Sequence, residues 1–199
     1  MTWVKVCGLR TTIDIEVAAA AGADAVGLVL AESPRRVEAD VAARLARSSP
    51  VPVFLLMVDA VPAEMLDLAG FVGASGIQPY GHSAAEVAAV AVRAGLTVLR
   101  PVAVRERVEE IDVPVDQIPL FDNGSTGVRG GSGIAFDHGL LPTLDRQWVL
   151  AGGLDGSNVA EAIRRTGAWG VDASSRLESS PGTKDPDLIR SFVESAKRV

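Results

Sequence analysis

This sequence has few cysteines and histidines and no excess of positive charge, and each of these features argues against a class of protein. The 199 residues include one cysteine and two histidines, and Asp and Glu outnumber Lys and Arg by 25 to 19. A single cysteine cannot form an internal disulfide, so the composition does not suggest an oxidising compartment. The formal net charge of -6 and the sequence pI near 5.0 provide no positive field for polyanions. We therefore expect a cytoplasmic protein with no nucleic-acid partner.

Long apolar runs and a secretion leader are also missing. The longest apolar stretches, such as residues 18–23 and 51–58, are much shorter than the roughly 20 residues that a membrane-spanning helix needs. The first residues do not combine a basic segment, an apolar core and a cleavage site. The sequence therefore predicts neither membrane insertion nor a signal peptide.

The sequence does contain enough apolar residues for one hydrophobic core. Hydrophobic residues make up 48% of the chain and charged residues 22%, which is the balance of a soluble globular protein. The length is that of one domain, and no linker or change in composition divides the chain. We therefore predict a single domain that covers residues 1–199.

Short apolar, β-branched runs alternate with alanine-rich amphipathic runs along the whole chain. The runs with strand character are residues 3–7, 25–30, 53–58, 76–78, 97–103, 118–121, 148–151 and 170–172. The runs with helix character are residues 12–21, 39–47, 62–71, 84–94, 104–110, 158–166 and 186–197, with a short or distorted helix after Asp137. This alternation therefore predicts eight strand–helix units.

Strands that alternate with helices form a parallel sheet through right-handed crossovers, and such a sheet is buried on both faces. An open, doubly wound sheet remains a possible arrangement. However, no GxGxxG motif follows the first strand, and eight units in about 200 residues match the smallest closed barrels. We therefore predict an α/β protein with a (β/α)8 TIM barrel fold, in which the chemistry lies at the carboxyl ends of the strands.

The first predicted strand carries two candidate residues, Lys5 and Cys7. Side chains alternate along a strand, so both lie on one side of it, and the following Gly8 allows a tight turn at the barrel mouth. A single free cysteine is most often a small buried hydrophobe. A cysteine base needs positive charge nearby, because the ordinary thiol pKa of about 8.5 leaves little thiolate near neutrality. An inward-facing Lys5 needs a partner, and we expect Asp172 on the eighth strand to pair with it.

Asp122 follows the sixth predicted strand. An aspartate at such a junction often accepts a hydrogen bond from the backbone in a turn or a cap. A buried carboxyl group at the same place is a candidate general acid, because desolvation raises its pKa. The sequence leaves both interpretations open.

Glycine and serine pairs follow the last two predicted strands, as Gly152-Gly153 and Ser174-Ser175. Loops after strands seven and eight commonly bind phosphate in barrels of this kind. Backbone N–H groups at glycines and serine hydroxyl groups donate hydrogen bonds to an anion. Plain tight turns are the alternative interpretation.

Two arginines, Arg35 and Arg36, follow the second predicted strand. A guanidinium group binds a carboxylate through two parallel hydrogen bonds. A solvated surface position is the usual one for an arginine near the start of a helix. We expect at least one of the two to be such a surface residue.

Considered together, these residues resemble the phosphoribosylanthranilate isomerase family. In the first half, the resemblance rests on Lys5-Val6-Cys7-Gly8-Leu9, Gly22-Ala23-Asp24-Ala25-Val26-Gly27 and Ser33-Pro34-Arg35. In the second half, it rests on Asp122, Gly130-Gly131-Ser132-Gly133, Phe136-Asp137, Ala151-Gly152-Gly153-Leu154 and Pro181-Gly182-Thr183-Lys184-Asp185. The motifs run from the first strand to the last helix.

The resemblance implies an isomerase of tryptophan biosynthesis that performs an Amadori rearrangement. In that reaction, an aminoaldose opens to a Schiff base, loses a proton from C2′ and becomes an aminoketose. By the family pattern, Asp122 protonates the ring oxygen as general acid, and Cys7 removes the C2′ proton as general base. Neither step needs a metal ion or an organic cofactor. The implied partner is a small phosphorylated substrate, and the implied assembly is a monomer or a homodimer.

The resemblance also assigns the ends of the substrate. Arg35 matches the arginine that holds the anthranilate carboxylate. The residues that match the phosphate loops are Gly152, Gly153, Ser174 and Ser175, and we expect Gly131 and Ser132 to line the same end of the site.

Four positions depart from the family pattern. Ile134 follows the glycine-rich loop, where the family often has a lysine. Pro79 and Tyr80 stand where the family has the leucine and histidine of Gln-Leu-His-Gly. Arg176 replaces the glycine of Ser-Ser-Gly, where it can either crowd the phosphate or bind it. These changes raise the chance of an altered substrate.

The departures keep two alternatives open. One is another phosphosugar isomerase on the same barrel, such as the histidine-pathway isomerase, although that enzyme has an aspartate where this chain has Cys7. The other is a non-catalytic phosphate-binding paralogue. A metal-dependent epimerase fits poorly, because neither His82 nor His138 ends a strand or belongs to a cluster with ligand spacing.

Overall fold

The computed structural model describes residues 1–108, 110–123 and 137–199. The strands are β1 (Trp3–Cys7), β2 (Ala25–Val29), β3 (Val53–Val58), β4 (Gly76–Tyr80), β5 (Thr97–Val104), β6 (Ile118–Asn123), β7 (Val149–Leu150), β8 (Gly170–Ala173), β9 (Glu178–Ser180) and β10 (Thr183–Lys184). The α-helices are α1 (Thr12–Ala20), α2 (Ala39–Ser48), α3 (Pro62–Val72), α4 (Ala84–Arg93), α5 (Val159–Thr166) and α6 (Pro186–Lys197). Two short 3₁₀ turns cover His138–Leu140 and Ser175–Leu177.

Strands β1 to β8 are parallel and pair in sequence order. The barrel closes because β8 also pairs with β1, with Lys5 opposite Asp172 and Val6 opposite Ala173. Outside the barrel, β9 and β10 form a small antiparallel ribbon. The predicted (β/α)8 barrel is therefore confirmed.

The strands are apolar because the sheet is covered on both faces. All five residues of β2 are buried, since its inward side chains fill the barrel and its outward side chains pack under the helices. At the amino ends of the strands, Trp3 stacks on Trp169 and meets the edge of Phe54. These rings fill that end of the barrel, so a ligand-binding site is expected at the carboxyl ends of the strands.

Side chains cap the first turns of α1 and α6. The Thr11 hydroxyl group accepts a hydrogen bond from the Asp14 N–H at the start of α1. The Asp185 carboxylate accepts hydrogen bonds from the N–H groups of Asp187 and Leu188 at the start of α6. Each cap satisfies backbone donors that the first helical turn leaves unpaired. No helix in the described residues is long and apolar enough to cross a membrane.

The predicted helix at residues 104–110 was wrong. Strand β5 continues to Val104, which pairs with Asn123 of β6, and residues 105–108 and 110 are not helical. Val104 and Val108 are separated by about one helical turn in sequence, which is the spacing of apolar residues on one face of a helix. However, the N–H group of Val108 donates to the Leu140 carbonyl group at 2.9 Å, so this backbone takes part in a tertiary contact instead. The short helix expected after Asp137 is confirmed as the turn at His138–Leu140.

Candidate active site

A pocket at the carboxyl ends of the barrel strands brings together the candidate residues of the described chain. Its lining includes Cys7, Arg35, Asp122, Gly152, Gly153, Ser174 and Ser175. The remaining two candidates, Gly131 and Ser132, lie outside the described residues, as does Ile134. Seven of the eight barrel strands or the segments directly after them contribute to the pocket, which is the arrangement expected of a barrel mouth.

Lys5 and Asp172 form a buried ion pair below this pocket. The Lys5 Nζ atom lies 2.9 Å from Asp172 Oδ2 and 2.9 Å from Gln78 Oε1. Burial acts to lower the pKa of Lys5, but the charges of Asp172 and Cys7 outweigh burial and hold it above its usual value. The predicted pairing of Lys5 with Asp172 is therefore confirmed, and Gln78 is an additional partner that the sequence did not indicate.

Cys7 ends β1 and lies above Lys5 on the same side of the strand. A Cβ atom at Gly27 of β2 would lie 2.7 Å from the Cys7 Sγ atom and 3.2 Å from Lys5 Cε. The missing side chain of Gly27 thus makes room for both groups. Burial raises the pKa of Cys7 above its ordinary value, although Lys5 and Lys184 act to lower it. The cations that we expected are present, but their effect on the Cys7 pKa is smaller than that of burial.

Asp122 lies near the end of β6 and faces the same pocket. Its Oδ1 atom accepts a hydrogen bond from the Asn123 N–H at 2.8 Å. Burial raises the pKa of Asp122 to about 6, with the Asn123 hydrogen bond acting in the opposite direction. Both interpretations of this residue therefore find support, since it bonds to the backbone and also has the raised pKa expected of an acid.

The glycine pair after β7 adopts a backbone that requires glycine. Gly152 and Gly153 have φ angles of 84° and 71°, which side chains of other residues rarely allow. A Cβ atom at Gly152 would lie 2.9 Å from Asp122 Oδ1, so this loop packs directly against the carboxyl group. Asn158 supports the loop through a 2.9 Å hydrogen bond from its Nδ2 atom to the Gly153 carbonyl oxygen.

The serine pair after β8 is held from behind by a buried lysine. Lys184 of β10 donates through Nζ to the Ser174 carbonyl oxygen at 2.8 Å, and Ser175 starts the turn at Ser175–Leu177. A Cβ atom at Gly8 would lie 2.9 Å from the Ser174 Oγ atom. The loops after β1 and β8 therefore meet beside the pocket.

Arg35 lies in the pocket, but its guanidinium group already holds a carboxylate. Glu178 accepts from Arg35 Nε at 2.6 Å and from Nη2 at 3.0 Å. Glu178 also accepts from Lys184 Nζ at 3.0 Å and from the Gly182 N–H at 3.1 Å. A ligand carboxylate must therefore use the remaining N–H groups of Arg35 or displace Glu178. Arg36 pairs with exposed Glu38 on the surface, as expected for one of the two arginines.

Two of the departures from the family pattern, Tyr80 and Arg176, line the pocket. The Tyr80 hydroxyl oxygen accepts a hydrogen bond from Gln78 Nε2 at 2.8 Å. Arg176 forms an ion pair with Asp155, with Nη2 2.6 Å from Oδ2, and so joins the loops after β7 and β8. No local sequence pattern indicates either of these partners.

The described residues contain no group of three His, Cys, Asp or Glu side chains placed to hold a metal ion. The described lining of the pocket contains a thiol, carboxyl groups and hydrogen-bond donors. Such ionisable groups, held at the mouth of a closed (β/α)8 barrel, define an acid–base enzyme of the barrel class.

Comparison with known proteins narrows this class to one family. The model of the family described as N-(5′-phosphoribosyl)anthranilate (PRA) isomerase matches residues 4–195. The chain therefore belongs to the N-(5′-phosphoribosyl)anthranilate isomerase family, and the resemblance seen in the sequence is confirmed.

Individual relatives are similar over nearly their whole length. A Ruegeria sp. (strain TM1040) protein named N-(5′-phosphoribosyl)anthranilate isomerase is 42% identical, and the alignment covers 98% of each chain. The structure of phosphoribosyl anthranilate isomerase from Thermotoga maritima has a TM-score of 0.84 and 30% identity, with 100% of both chains covered. A second similar structure is a phosphoribosyl anthranilate isomerase in complex with reduced 1-(o-carboxyphenylamino)-1-deoxyribulose 5-phosphate, with a TM-score of 0.81, 29% identity and complete coverage of both chains.

Proposed function

We propose that this protein catalyses the Amadori rearrangement of N-(5′-phosphoribosyl)anthranilate to 1-(o-carboxyphenylamino)-1-deoxyribulose 5-phosphate in tryptophan biosynthesis. The observation that carries the proposal is one pocket containing a carboxyl group with a pKa near 6 and a thiol beside a buried lysine. A reaction that protonates one atom and deprotonates another needs such a pair. The family membership supports this reaction over the alternatives that the sequence left open.

Asp122 acts as the general acid in the proposed mechanism. A pKa of about 6 keeps a useful fraction of the carboxyl group protonated near neutrality. The group donates this proton to the ring oxygen of the ribose, and the C1′–O bond breaks as the nitrogen lone pair forms the C1′=N bond. The product of this step is an open-chain Schiff base with a protonated nitrogen, and Asp122 is left as a carboxylate.

Cys7 acts as the general base in the second step. Its thiolate takes the proton from C2′, and the electron pair of that C–H bond moves towards C1′ and neutralises the protonated nitrogen. The resulting enolamine then becomes the aminoketose when C1′ gains a proton and the oxygen on C2′ loses one. The Lys5 ammonium group stabilises the thiolate, because it is the largest influence that lowers the Cys7 pKa.

The ends of the pocket suit the two charged groups of this substrate. We assign the phosphate to the loops with Gly152, Gly153, Ser174 and Ser175, where backbone N–H groups and hydroxyl groups are available as donors. We assign the anthranilate carboxylate to Arg35, which would exchange part of its bond with Glu178 for a bond with the substrate. The same proposal includes a cytoplasmic location, no cofactor, and a monomer or homodimer.

A direct assay tests the proposal. Phosphoribosylanthranilate is generated from anthranilate and phosphoribosyl pyrophosphate, and the loss of its fluorescence is followed over time. We expect the protein to accelerate this loss well above the spontaneous rate and to form the carboxyphenylamino-deoxyribulose phosphate. A rate equal to the spontaneous one, together with binding of inorganic phosphate, would support the non-catalytic paralogue instead.

A further inference from the structure

A continuous chain of hydrogen bonds crosses the floor of the pocket from β8 through β1 to β4. Lys5 Nζ donates to Asp172 Oδ2 at 2.9 Å and to Gln78 Oε1 at 2.9 Å. Gln78 Nε2 then donates to the Tyr80 hydroxyl oxygen at 2.8 Å. Three of these four side chains line the pocket directly, and Lys5 is completely buried beneath them.

The charge of Lys5 fixes the direction of every bond in this chain. An ammonium group only donates hydrogen bonds, so Gln78 must turn its carbonyl oxygen to Lys5 and its NH2 group to Tyr80. The Tyr80 oxygen therefore accepts, and its own hydrogen must point to a different acceptor. Among the described residues, Gln78 is the one hydrogen-bond partner of this hydroxyl group. Its hydrogen is thus available to a ligand in the pocket.

The hydroxyl group keeps that hydrogen under all ordinary conditions. Burial raises the pKa of Tyr80 well above its usual value, and the nearby charges of Asp122 and Cys7 add to this effect. Tyr80 is therefore a neutral donor that lines the same pocket as the two groups of the proposed mechanism and is close enough to feel both charges. A cationic donor at this place would instead stabilise the Asp122 carboxylate and lower the pKa that the acid needs.

We propose that the Tyr80 hydroxyl group binds the substrate by donating a hydrogen bond to the oxygen on C2′. This inference rests on the proposed function, in which Cys7 acts on the hydrogen of C2′ and Asp122 acts on the ring oxygen. The oxygen on C2′ is bonded to the carbon that loses its proton, and that carbon is bonded to C1′, from which the ring oxygen departs. It is a hydroxyl oxygen in the substrate and a carbonyl oxygen in the product, so it accepts a hydrogen bond in both.

The test pairs a change in the protein with a matching change in the ligand. The protein variant is Tyr80→Phe, which removes only the hydroxyl group. The ligands are reduced 1-(o-carboxyphenylamino)-1-deoxyribulose 5-phosphate and the same compound without its C2 hydroxyl group, each titrated by calorimetry. We expect Tyr80→Phe to weaken binding of the first ligand about threefold to tenfold and to leave binding of the second unchanged.

Val58→Ala is the matched control variant. Val58 lies beside Tyr80 on the neighbouring strand and lines the same pocket through an apolar side chain. This variant should change the affinity for both ligands by the same factor. A circular dichroism spectrum and an unfolding curve for each variant establish that the barrel is intact.

The outcomes separate this inference from the proposed function. If Tyr80→Phe affects both ligands equally, or neither of them, Tyr80 does not bind the oxygen on C2′ and the inference is overturned. If the wild-type protein rearranges phosphoribosylanthranilate while this result is obtained, the proposed function still holds. If the wild-type protein has no activity, the proposed function and the inference are both wrong.

Discussion

Glu178 binds Arg35 through both Nε and Nη2, at 2.6 and 3.0 Å, and occupies the edge of the guanidinium group that suits a carboxylate best. Arg35 is the residue that we assign to the anthranilate carboxylate. The protein thus holds its proposed carboxylate site with an internal carboxylate, which also neutralises Lys184. Substrate binding must compete with this contact.

The first prediction concerns that competition. Replacing Glu178 with Gln removes the internal negative charge but keeps the shape of the side chain. We expect Glu178→Gln to bind anthranilate on the order of tenfold more tightly, measured by fluorescence titration, because Arg35 loses a charged competitor. The matched control is Glu38→Gln, which disrupts the exposed pair with Arg36 and should leave the affinity unchanged. Equal affinity in Glu178→Gln and wild type would show that Arg35 does not bind the carboxylate.

The second prediction concerns the buried pair of Lys5 and Asp172. Removing one partner leaves an uncompensated charge inside the barrel, so Lys5→Met should lower the free energy of unfolding by about 3–5 kcal/mol. Urea denaturation measures this change. The double variant Lys5→Met with Asp172→Leu should regain most of the loss, because no charge remains buried.

A surface pair provides the control for that prediction. Lys197 forms an ion pair with Asp24, which is partly exposed, and such pairs contribute about 0–1 kcal/mol. We therefore expect Lys197→Met to cost much less than Lys5→Met. Similar losses in the two variants would contradict the idea that burial decides the cost.

The third prediction tests the acid and the base by activity. Asp122→Asn and Cys7→Ala should each lower kcat/KM by about 10²- to 10⁴-fold without unfolding the barrel. The active form requires Asp122 with its proton and Cys7 without one. The pKa of Asp122 is near 6, and the pKa of Cys7 is raised. We therefore expect kcat/KM to be constant between these two pKa values, and to fall below about pH 6 and above the pKa of Cys7.

The pH profiles of the two variants show which residue causes each fall in kcat/KM. In Asp122→Asn, the residual activity should no longer fall with a midpoint near pH 6, whereas in Cys7→Ala the high-pH limb should lose its dependence on the thiol. Full activity in either variant would contradict the roles that we assign. Far-ultraviolet circular dichroism should be unchanged in both.

The fourth prediction uses stability rather than activity. The folded pKa of Asp122 is about 6, whereas an unfolded aspartate has a pKa of about 3.9. The folded state therefore binds this proton more tightly, so the contribution of Asp122 to stability is complete below pH 4 and is lost as pH rises through 6. Asp122→Asn does not titrate, so it should gain up to about 3 kcal/mol relative to wild type between pH 4 and pH 8.

Asp155→Asn is the control with the opposite sign. Burial acts to raise the pKa of Asp155, but hydrogen bonds from Ser157 and Arg176 prevail and lower it. This carboxylate therefore stabilises the fold at high pH, and that contribution is lost as pH falls through its folded pKa. Relative to wild type, Asp155→Asn should lose stability as pH rises. Parallel pH trends for the two variants in urea unfolding would contradict both assignments.

The barrel and the location of the site could be predicted from the sequence for one shared reason. Parallel pairing aligns the carboxyl ends of all strands, so residues that directly follow apolar runs meet at one mouth. Cys7, Asp122 and Gly152 are distant in sequence, yet each follows or ends its strand and lines the pocket. The pairing of Lys5 with Asp172 followed from the same alignment.

Other features depend on contacts that no local pattern encodes. Glu178 reaches Arg35 from beyond the last barrel strand, and nothing near either residue in sequence indicates the pair. The raised pKa of Cys7 depends on how completely the barrel excludes water, which the sequence does not state. The false helix at residues 104–110 arose because two valines with helical spacing serve a strand end and a tertiary contact instead.

Gly8 has a consequence for how this pocket can evolve. A Cβ atom there would lie 2.7 Å from Arg35 Cδ and 2.9 Å from Ser174 Oγ. Gly8 therefore packs between the residue that we assign to the substrate carboxylate and one that we assign to the phosphate. Even a methyl group would push the two anchors in different directions at once. A substitution at Gly8 would therefore be accepted only together with changes that move Arg35 and Ser174 apart.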